Sequence, residues 1–430
     1  MFPKFSIPAE FPFAPLTCGI GKVQMRCHWI KAGSMAAPQF RHKSQKKGTL
    51  MIRHSRKRIT SNNSVSPLEI QQLEPRTLLT GTVTLALSAA GDISVTGDSK
   101  DNNVTVEVDS GGIHVTGLSG TSLRYGKMIH AAGDTVTLPI PSVIRDLRVD
   151  MKGGNDTLSF TSTGEVNVGR DVDIDMGAGN DRLTIADSAG INVGRNFKAL
   201  TGAGNDKVVI STNGGQINVG NDLSINTGPG NDAVGLADAE KFAGVTDAAT
   251  LLAVADDTGT EMSQQIRVGR DLNITTGGGN DTVGVAGVEA GRNANLNTGA
   301  GRGDILGVSN LRAGRNLDLN LGDTNALQNV TVARTIKVRS GASNDRFVVD
   351  RIHAGSVDVN LQGGNDQLAI GADVVVTGRV NINGGAGKNS LESMTSLSGA
   401  TVRNFKGTSV DSMAILDTVL AAIAAEGLIG

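Results

Sequence analysis

The chain has 430 residues, of which 39% are hydrophobic and only 3% are aromatic, and it contains 57 glycines. Many glycines with few aromatic residues favour short strands joined by tight turns and argue against a helical bundle. The net charge of −2 hides a basic arm, because residues 1–60 carry twelve Lys and Arg against the single acid Glu10, which leaves −13 for the remainder. This acidic body argues against a nucleic-acid-binding core.

Residues 1–66 are rich in Pro, Lys, Arg and Ser and show no hydrophobic periodicity, so we predict a disordered basic leader. Met51 opens a stretch that is typical of a natural start, and residues 1–50 are interpreted as an upstream extension outside the mature protein. Both cysteines, Cys18 and Cys27, lie in the leader, so the body has no disulfide and no thiolate metal site. No segment reaches the ~20 apolar residues of a membrane span, and no hydrophobic core of a secretory signal is present in the first 80 residues.

The segment 67–82 contains Leu73-Glu-Pro-Arg-Thr-Leu-Leu79. It resembles the LEPR-XLL segment of planctomycete-type secreted and surface proteins, although it continues into Thr80-Gly81 where such segments usually continue into Ser-Ala. The resemblance implies an extracellular or cell-surface location, reached without a standard hydrophobic signal. The alternative is an incidental capping turn before the first strand.

From Val83 onward the chain alternates apolar and polar residues in short runs, as in residues 104–108 and 172–176. Alternation with period 2 predicts strands with one buried face. A turn of the form Gly-x-Gly-Asn-Asp recurs every 22–26 residues, for example at residues 177–181 and 202–206. This spacing predicts an all-β, right-handed parallel β-helix over residues 83–410, with about 13 coils.

A Gly-Arg pair recurs at the same spacing, with its arginines at Arg170, Arg195, Arg270, Arg292 and Arg315. Simple alternation would bury Arg170 beside Val168 and Val172, and an unpaired buried guanidinium is too costly. We therefore predict that Gly169 forms a bend or bulge that turns Arg170 outward.

Two helical segments are predicted. Residues 238–265 interrupt one coil, and the run 248–255 favours a short helical loop that projects from the solenoid. Residues 411–430 are predicted to form a C-terminal capping helix over the unpaired strand edges at the end of the solenoid. Its apolar face is expected to comprise Met413, Leu416, Leu420, Ile423 and Ala424.

Residues one coil apart lie above each other in a solenoid, so the turn aspartates should form a column of carboxylates about 5 Å apart. The column comprises Asp156, Asp181, Asp206, Asp232, Asp281, Asp304, Asp345 and Asp366. At an effective dielectric constant near 20, adjacent carboxylates would repel by about 3 kcal/mol, so the column needs neutralising. Calcium (Ca2+) is the predicted cofactor, because it binds about 6–8 oxygens from carboxylates and turn carbonyls.

The turn also resembles the calcium-binding nonapeptide of repeats-in-toxin proteins, with Gly177, Gly179, Asp181 and Leu183 on its pattern. That resemblance implies secreted β-rolls that fold when calcium is present, but such repeats run in tandem, whereas this chain has one turn per coil. The alternative is a metal-free scaffold in which an arginine column and asparagine ladders balance the aspartates. The aspartate and arginine markers lie 11–14 residues apart, so we expect them on different edges of the coil.

The predicted function is a secreted or cell-surface structural or adhesive β-helix, monomeric and not an enzyme. Its expected partners are extracellular polysaccharide or other surface proteins, and not nucleic acid. The alternative is a polysaccharide lyase or hydrolase, which would need a singular cluster of acids with a base. The repeated columns are not singular, and His114, His130 and His353 are widely separated. Trp29 and Tyr125 are the sole tryptophan and tyrosine, so sugar-stacking platforms are scarce.

Overall fold

The computed structural model describes residues 81–139, 144–238, 265–396, 399–407, 410 and 412–428. The predicted leader, nearly all of the LEPR-type segment and nearly all of the predicted insertion lie outside these residues. The described chain is a parallel β-solenoid with turns about 23 residues apart, followed by one C-terminal helix. The prediction of an all-β parallel β-helix is therefore confirmed.

The described residues form 32 strands and one helix. In chain order they are β1 (Thr82–Leu87), β2 (Ile93–Thr96), β3 (Asn103–Asp109), β4 (Gly112–Gly117), β5 (Ser122–Tyr125), β6 (Met128–His130), β7 (Thr135–Leu138), β8 (Leu147–Asp150), β9 (Thr157–Ser162), β10 (Val166–Val168), β11 (Val172–Asp175), β12 (Arg182–Asp187), β13 (Ile191–Val193), β14 (Phe197–Leu200), β15 (Lys207–Thr212), β16 (Ile217–Val219), β17 (Leu223–Asn226), β18 (Ala233–Asp238), β19 (Ile266–Val268), β20 (Leu272–Thr275), β21 (Thr282–Ala290), β22 (Ala294–Asn297), β23 (Ile305–Ala313), β24 (Leu317–Asn320), β25 (Thr324–Arg339), β26 (Arg346–Asn360), β27 (Gln367–Ile370), β28 (Val374–Val376), β29 (Val380–Asn383), β30 (Asn389–Ser393), β31 (Thr401–Arg403), β32 (Phe405–Gly407) and α1 (Ser412–Ala425).

Each regular coil adds one strand to each of three parallel stacks. In the first stack, β12 pairs with β9 before it and β15 after it, and Arg182 aligns with Thr157 and Lys207. In the second stack β13 lies between β10 and β16, and in the third β14 lies between β11 and β17. Residues 25 positions apart are therefore direct neighbours, and the predicted register is confirmed.

The solenoid has about 10 turns rather than the 13 that the spacing predicted. Part of the difference lies at its N-terminal end, where most strand pairs within residues 82–138 are antiparallel and do not form further coils. Strand β1 pairs with β2, β3 pairs with β4, and β4 pairs with β7. Strands β2 and β3 also pair in parallel with β8 and β9, so these hairpins join the parallel stack directly.

The core consists of aliphatic side chains from the inward positions of every strand. Leu158, Leu183 and Val208 occupy one column in the first stack, and each is at most 2% exposed. Complete burial of such a side chain stabilises a protein by about 1.5–3 kcal/mol. Since the buried residues form one continuous cluster along the coils, the solenoid has a single core.

The predicted C-terminal helix is confirmed, but it lies along the side of the solenoid and not over its end. Helix α1 contacts β21, β23, β25 and β26 of the first stack. Leu416, Leu420 and Ile423 are buried as expected, whereas Ala424 is exposed, so its inclusion in the apolar face was wrong. Among the described residues no helix combines the length and apolarity needed to cross a membrane.

Small residues at the outward positions of the first stack make room for the helix. We call this set the glycine–alanine strip, and it comprises Gly235, Gly284, Gly307, Ala326 and Ala369. A Cβ atom at Gly235 would lie 2.7 Å from the carbonyl oxygen of Leu428, and one at Gly284 would lie 3.2 Å from Ile423. The helix therefore packs against the outer surface of several successive coils, which buries that surface.

Candidate functional site

The recurrent turn depends on glycine because successive copies lie in backbone contact. Gly179 has a φ angle of 149°, and a Cβ atom at this position would overlap the carbonyl oxygen of Gly154 in the preceding coil. Gly204 repeats this relationship with Gly179. The residue between the two glycines faces solvent, and it is Ala178 in one coil and Ala203 in the next. The tight stacking of these turns places the Asn-Asp pair at the same position in each coil.

The eight predicted aspartates all point into the solenoid. Their exposed fractions lie between 0 and 2%. They belong to two runs, because the coil between Asp304 and Asp345 has the sequence Gly322-Asp-Thr-Asn325, and Asn325 is fully buried there. Asp156, Asp181, Asp206, Asp232, Asp281 and Asp304 form the first run, and Asp345 and Asp366 form the second.

Backbone amides link these side chains into what we call the aspartate ladder. The amide of Asp181 donates to Oδ1 of Asp206 at 2.8 Å, and Asp206 donates in turn to Asp232 at 2.8 Å. The same bond, always to the carboxylate of the following coil, joins each consecutive pair of both runs. Within each run this bond supplies one hydrogen bond across every interface between coils. Oδ1 of Asp345, which begins the second run, accepts instead from Oγ of Ser343 at 2.8 Å.

Two asparagines terminate the ladder, and sequence reasoning missed both. The amide of Asn102 donates to Asp156 at 2.7 Å, and Oδ1 of Asn389 accepts from the amide of Asp366 at 2.9 Å. Asn389 ends the segment Gly385-Ala-Gly-Lys-Asn389, which is the recurrent turn with asparagine in place of its aspartate. The asparagine at this position of the turn could have been recognised from the sequence as a member of the ladder. It shows that an amide oxygen can take the carboxylate's place in the ladder.

Burial raises the pKa of every aspartate in the ladder. The pKa of Asp181 rises to about 7 because the carboxyl is buried and because the carboxylates of Asp206 and Asp156 lie beside it. Burial likewise raises the pKa of Asp156, Asp232, Asp304 and Asp345 to about 6. Thr227 donates to Oδ2 of Asp232 at 2.6 Å, whereas Oδ2 of each of the other seven has no hydrogen-bond partner. Protonation therefore removes a buried charge from the core.

An asparagine precedes every ladder aspartate except Asp304, and these asparagines form a second ladder on the outside of the turn. The amide of Asn205 donates to Oδ1 of Asn180 at 2.7 Å, and Asn180 donates to Asn155 at 2.8 Å. These bonds point to the preceding coil, opposite to those of the aspartate ladder. In a turn such as Asn205-Asp206, two successive amides are therefore held by side chains, one from each neighbouring coil.

The arginines of the recurrent Gly-Arg pair, which we call the corner arginines, point outward, as the predicted bend at Gly169 requires. The Arg170 side chain is 43% exposed, and its guanidinium lies 3.4 Å from Asp146. Arg270 lies 3.7 Å from Asp222, and Arg292 lies 4.0 Å from Asp271. These acids belong to the corner itself and not to the Asn-Asp turn. The corner arginines therefore pair with acids outside the aspartate ladder, which agrees with the expectation of separate edges.

The coordination chemistry available to calcium at the ladder is limited. Within the described part of the chain, no three side chains of His, Cys, Asp or Glu come together in a way that could hold a metal ion. Each Oδ1 already accepts a hydrogen bond, from a backbone amide or, at Asp345, from Ser343, while seven Oδ2 atoms lack a partner. This donor set fits a proton better than an ion that takes about 6–8 oxygens. Calcium binding stays a prediction for experiment.

Comparison of the chain with models of protein families, with curated proteins and with solved structures gave no match. The functional argument therefore depends on the residues of this chain alone.

Proposed function

We propose that this protein is an extracellular or cell-surface β-helical rod with a structural or adhesive role, and that protonation and side-chain ladders stabilise it without metal. The observation that carries the proposal is the aspartate ladder. Within each run a buried carboxylate accepts an amide proton from the preceding coil, and the raised pKa values, about 7 for Asp181 and about 6 for Asp232, favour the neutral acid below about pH 6. A neutral carboxyl column removes the repulsion that made calcium attractive as a cofactor.

The surface location and the adhesive role are supported by the sequence. The LEPR-type segment resembles those of secreted and surface proteins, and the solenoid offers long repetitive faces. The expected partners are extracellular polysaccharide or other surface proteins. Protease treatment of intact producing cells tests the location, since a surface protein is cleaved while a control inside the cell is protected.

Thermal unfolding of the full chain, with calcium and with a chelator, tests the metal-free stabilisation. Coincident melting curves support ladders that need no ion. A melting temperature that rises by several degrees with calcium would instead favour the calcium-stabilised β-helix.

A polysaccharide lyase or hydrolase is the second candidate function. The observation in its favour is a chain of hydrogen bonds on the outer face of the N-terminal hairpins, in which His114 contacts Asp109 through Nε2 at 3.0 Å and Thr137 through Nδ1 at 3.0 Å. Backbone amides of Gly111 and Gly112 also hold Asp109, which is what a hairpin-stabilising contact requires. Incubation with anionic polysaccharides, followed by measurement of new reducing ends, separates the two: cleavage that is lost in His114→Ala would support the enzyme.

A further inference from the structure

From Arg270 to Arg334 the corner arginines form an uninterrupted column along the solenoid, but the acids beside them do not. The amide of Arg292 donates to the carbonyl of Arg270, that of Arg315 to Arg292, and that of Arg334 to Arg315. Each of these arginines therefore lies one coil above the previous one, a rise of about 4.8 Å. The column is a regular row of cationic groups at a single edge.

In the earlier coils, with the exception of Arg195, a corner arginine pairs with the acid that follows the arginine position one coil below. Arg270 pairs in this way with Asp222, and Arg292 with Asp271. In the later coils that position is amide: Asn293 lies below Arg315 and Asn316 lies below Arg334. The replacement of carboxylate by amide removes the ion-pair partner of the arginine but keeps a polar side chain at this position.

Three exposed arginines at this end have no carboxylate partner within the described part of the chain. Arg312, Arg315 and Arg334 are exposed, and among the residues that the structure describes none of them has a carboxylate partner. Glu289, which is next to Arg312 in the strand register, pairs with Arg267 at 3.8 Å. We call Arg312, Arg315 and Arg334 the arginine corner. It places uncompensated positive charge on an otherwise acidic body.

We propose that the arginine corner binds an anionic polysaccharide whose chain runs parallel to the solenoid axis. Guanidinium groups bind carboxylate and sulfate groups through two parallel hydrogen bonds, and a row of them with the rise of a coil matches a polymer with one anionic group per sugar unit. Polar neighbours for the sugar hydroxyls are present in the exposed Thr331 and in Asn316, whose Nδ2 donates to Asn293 at 3.2 Å. The inference rests on the proposed adhesive role and gives it a ligand class.

Nucleic acid is the other linear polyanion, and the corner suits it less well. Single-stranded nucleic acid is bound by stacking of bases on aromatic side chains. Tyr125, the one tyrosine of the chain, belongs to β5 among the N-terminal hairpins, and Trp29 lies in the leader outside the described residues. Binding of duplex DNA gains its affinity from many phosphate contacts, on the order of 6–10 in a typical case, and three arginines supply fewer.

The test measures binding of the full chain to polygalacturonate oligosaccharides, with neutral dextran and single-stranded DNA of similar length as competing probes. The variant R315Q/R334Q removes two charges from the corner. The control R182Q/R403Q removes two charges from exposed arginines on β12 and β31. We expect R315Q/R334Q to raise the dissociation constant for polygalacturonate about tenfold or more, because it removes two charge-assisted contacts, and the control to change it less than about twofold.

Three results would overturn the proposal: no binding of polygalacturonate by the wild-type chain, equal weakening in both double variants, or tighter binding of the DNA through the same arginines. None of these results bears on the aspartate ladder, so the rod can be correct while the ligand is wrong. Unchanged melting curves of both double variants verify that the fold is intact.

Discussion

The backbone amide of Asp181 donates a hydrogen bond of 2.8 Å to Oδ1 of Asp206, one coil further along the chain. The residue before Asp206 does the reverse, since the amide of Asn205 donates to Oδ1 of Asn180 in the preceding coil at 2.7 Å. Adjacent residues of one turn therefore bond in opposite directions along the axis. This arrangement couples each turn to both neighbouring coils through main-chain donors that would otherwise remain unpaired.

Two substitutions at Asp206 distinguish the contribution of its hydrogen bond to stability from that of its negative charge. Asp206→Ala leaves the Asp181 amide without its acceptor and opens space in the core, so we expect a loss of about 2–4 kcal/mol in the free energy of unfolding. Asp206→Asn keeps an acceptor, as Asn389 does at the end of the ladder, and removes a carboxyl whose charged form is disfavoured by burial. We expect it to match or exceed the wild-type stability at about pH 8. Denaturant unfolding measures both variants.

The contrary result is equal destabilisation by Asn and Ala at Asp206. It would mean that the negative charge itself is required, as a bound cation would require it.

Stability should increase as the pH falls from about 8 to about 5. The pKa of Asp181 is raised to about 7 and that of Asp232 to about 6, whereas an unfolded aspartate titrates near pH 4. Since the folded state binds these protons more tightly, their contribution is complete below the unfolded pKa and is lost as the pH rises through the folded values. Melting temperatures across this range measure the effect, and Asp181→Asn should flatten the profile.

In two acids outside the ladder the pKa is lowered instead of raised. Hydrogen bonding to Arg145 lowers the pKa of Asp92, and the Gly111 amide lowers that of Asp109. Their contribution is present above the unfolded pKa and declines below about pH 4, outside the range of the experiment. A melting temperature that falls steadily from pH 8 to pH 5 would show that the ladder carboxyls stay charged.

Calcium should have little effect on melting if the ladder takes protons. We expect the curves of the full chain in millimolar calcium and in chelator to coincide within about 1 °C, because a ligand shifts stability only by binding the folded state. Magnesium at equal ionic strength is the matched control. A rise in melting temperature that is specific to calcium and absent from the Asp206→Asn variant would assign the ion to the ladder.

The contact between helix α1 and the glycine–alanine strip can be tested with one methyl group. A Cβ atom in Gly235→Ala would lie 2.7 Å from the carbonyl oxygen and 3.1 Å from the Cα of Leu428, so the end of the segment must move. We expect faster amide exchange and proteolysis in residues 412–428 and a loss of about 1–3 kcal/mol. Gly278→Ala is the control, because its nearest neighbour would be the Ala300 carbonyl oxygen at 3.9 Å. Equal behaviour of the two variants would contradict the packing.

The column of aspartates could be predicted because their spacing is regular, and regular spacing in a solenoid means vertical alignment. The inward direction of Asp181 could not be read in the same way, because alternation is interrupted at the glycine turn and a carboxylate is usually solvated. The antiparallel pairing of β3 with β4 was missed for a different reason. Parallel and antiparallel strands with one buried face show the same alternation, so pattern alone does not separate coils from hairpins.

The position of α1 was missed although a signal existed. The apolar face around Leu420 predicts that the helix is covered, but not by which surface. The signal lay in the strands, since β18 and β21 place Gly235 and Gly284 at outward positions where β12 has Thr184. Small or apolar residues on both faces of a strand indicate that both are buried.

Because α1 lies beside coils that precede it in the chain, its position also imposes an order on biosynthesis. The ribosome completes β18 through β27 before residues 412–428 emerge. The outer face that the helix will cover therefore stays exposed to solvent until translation is nearly finished. Nascent chains arrested before Ser412 would therefore display a continuous apolar stripe several coils long, and chaperones could bind that stripe only during this interval.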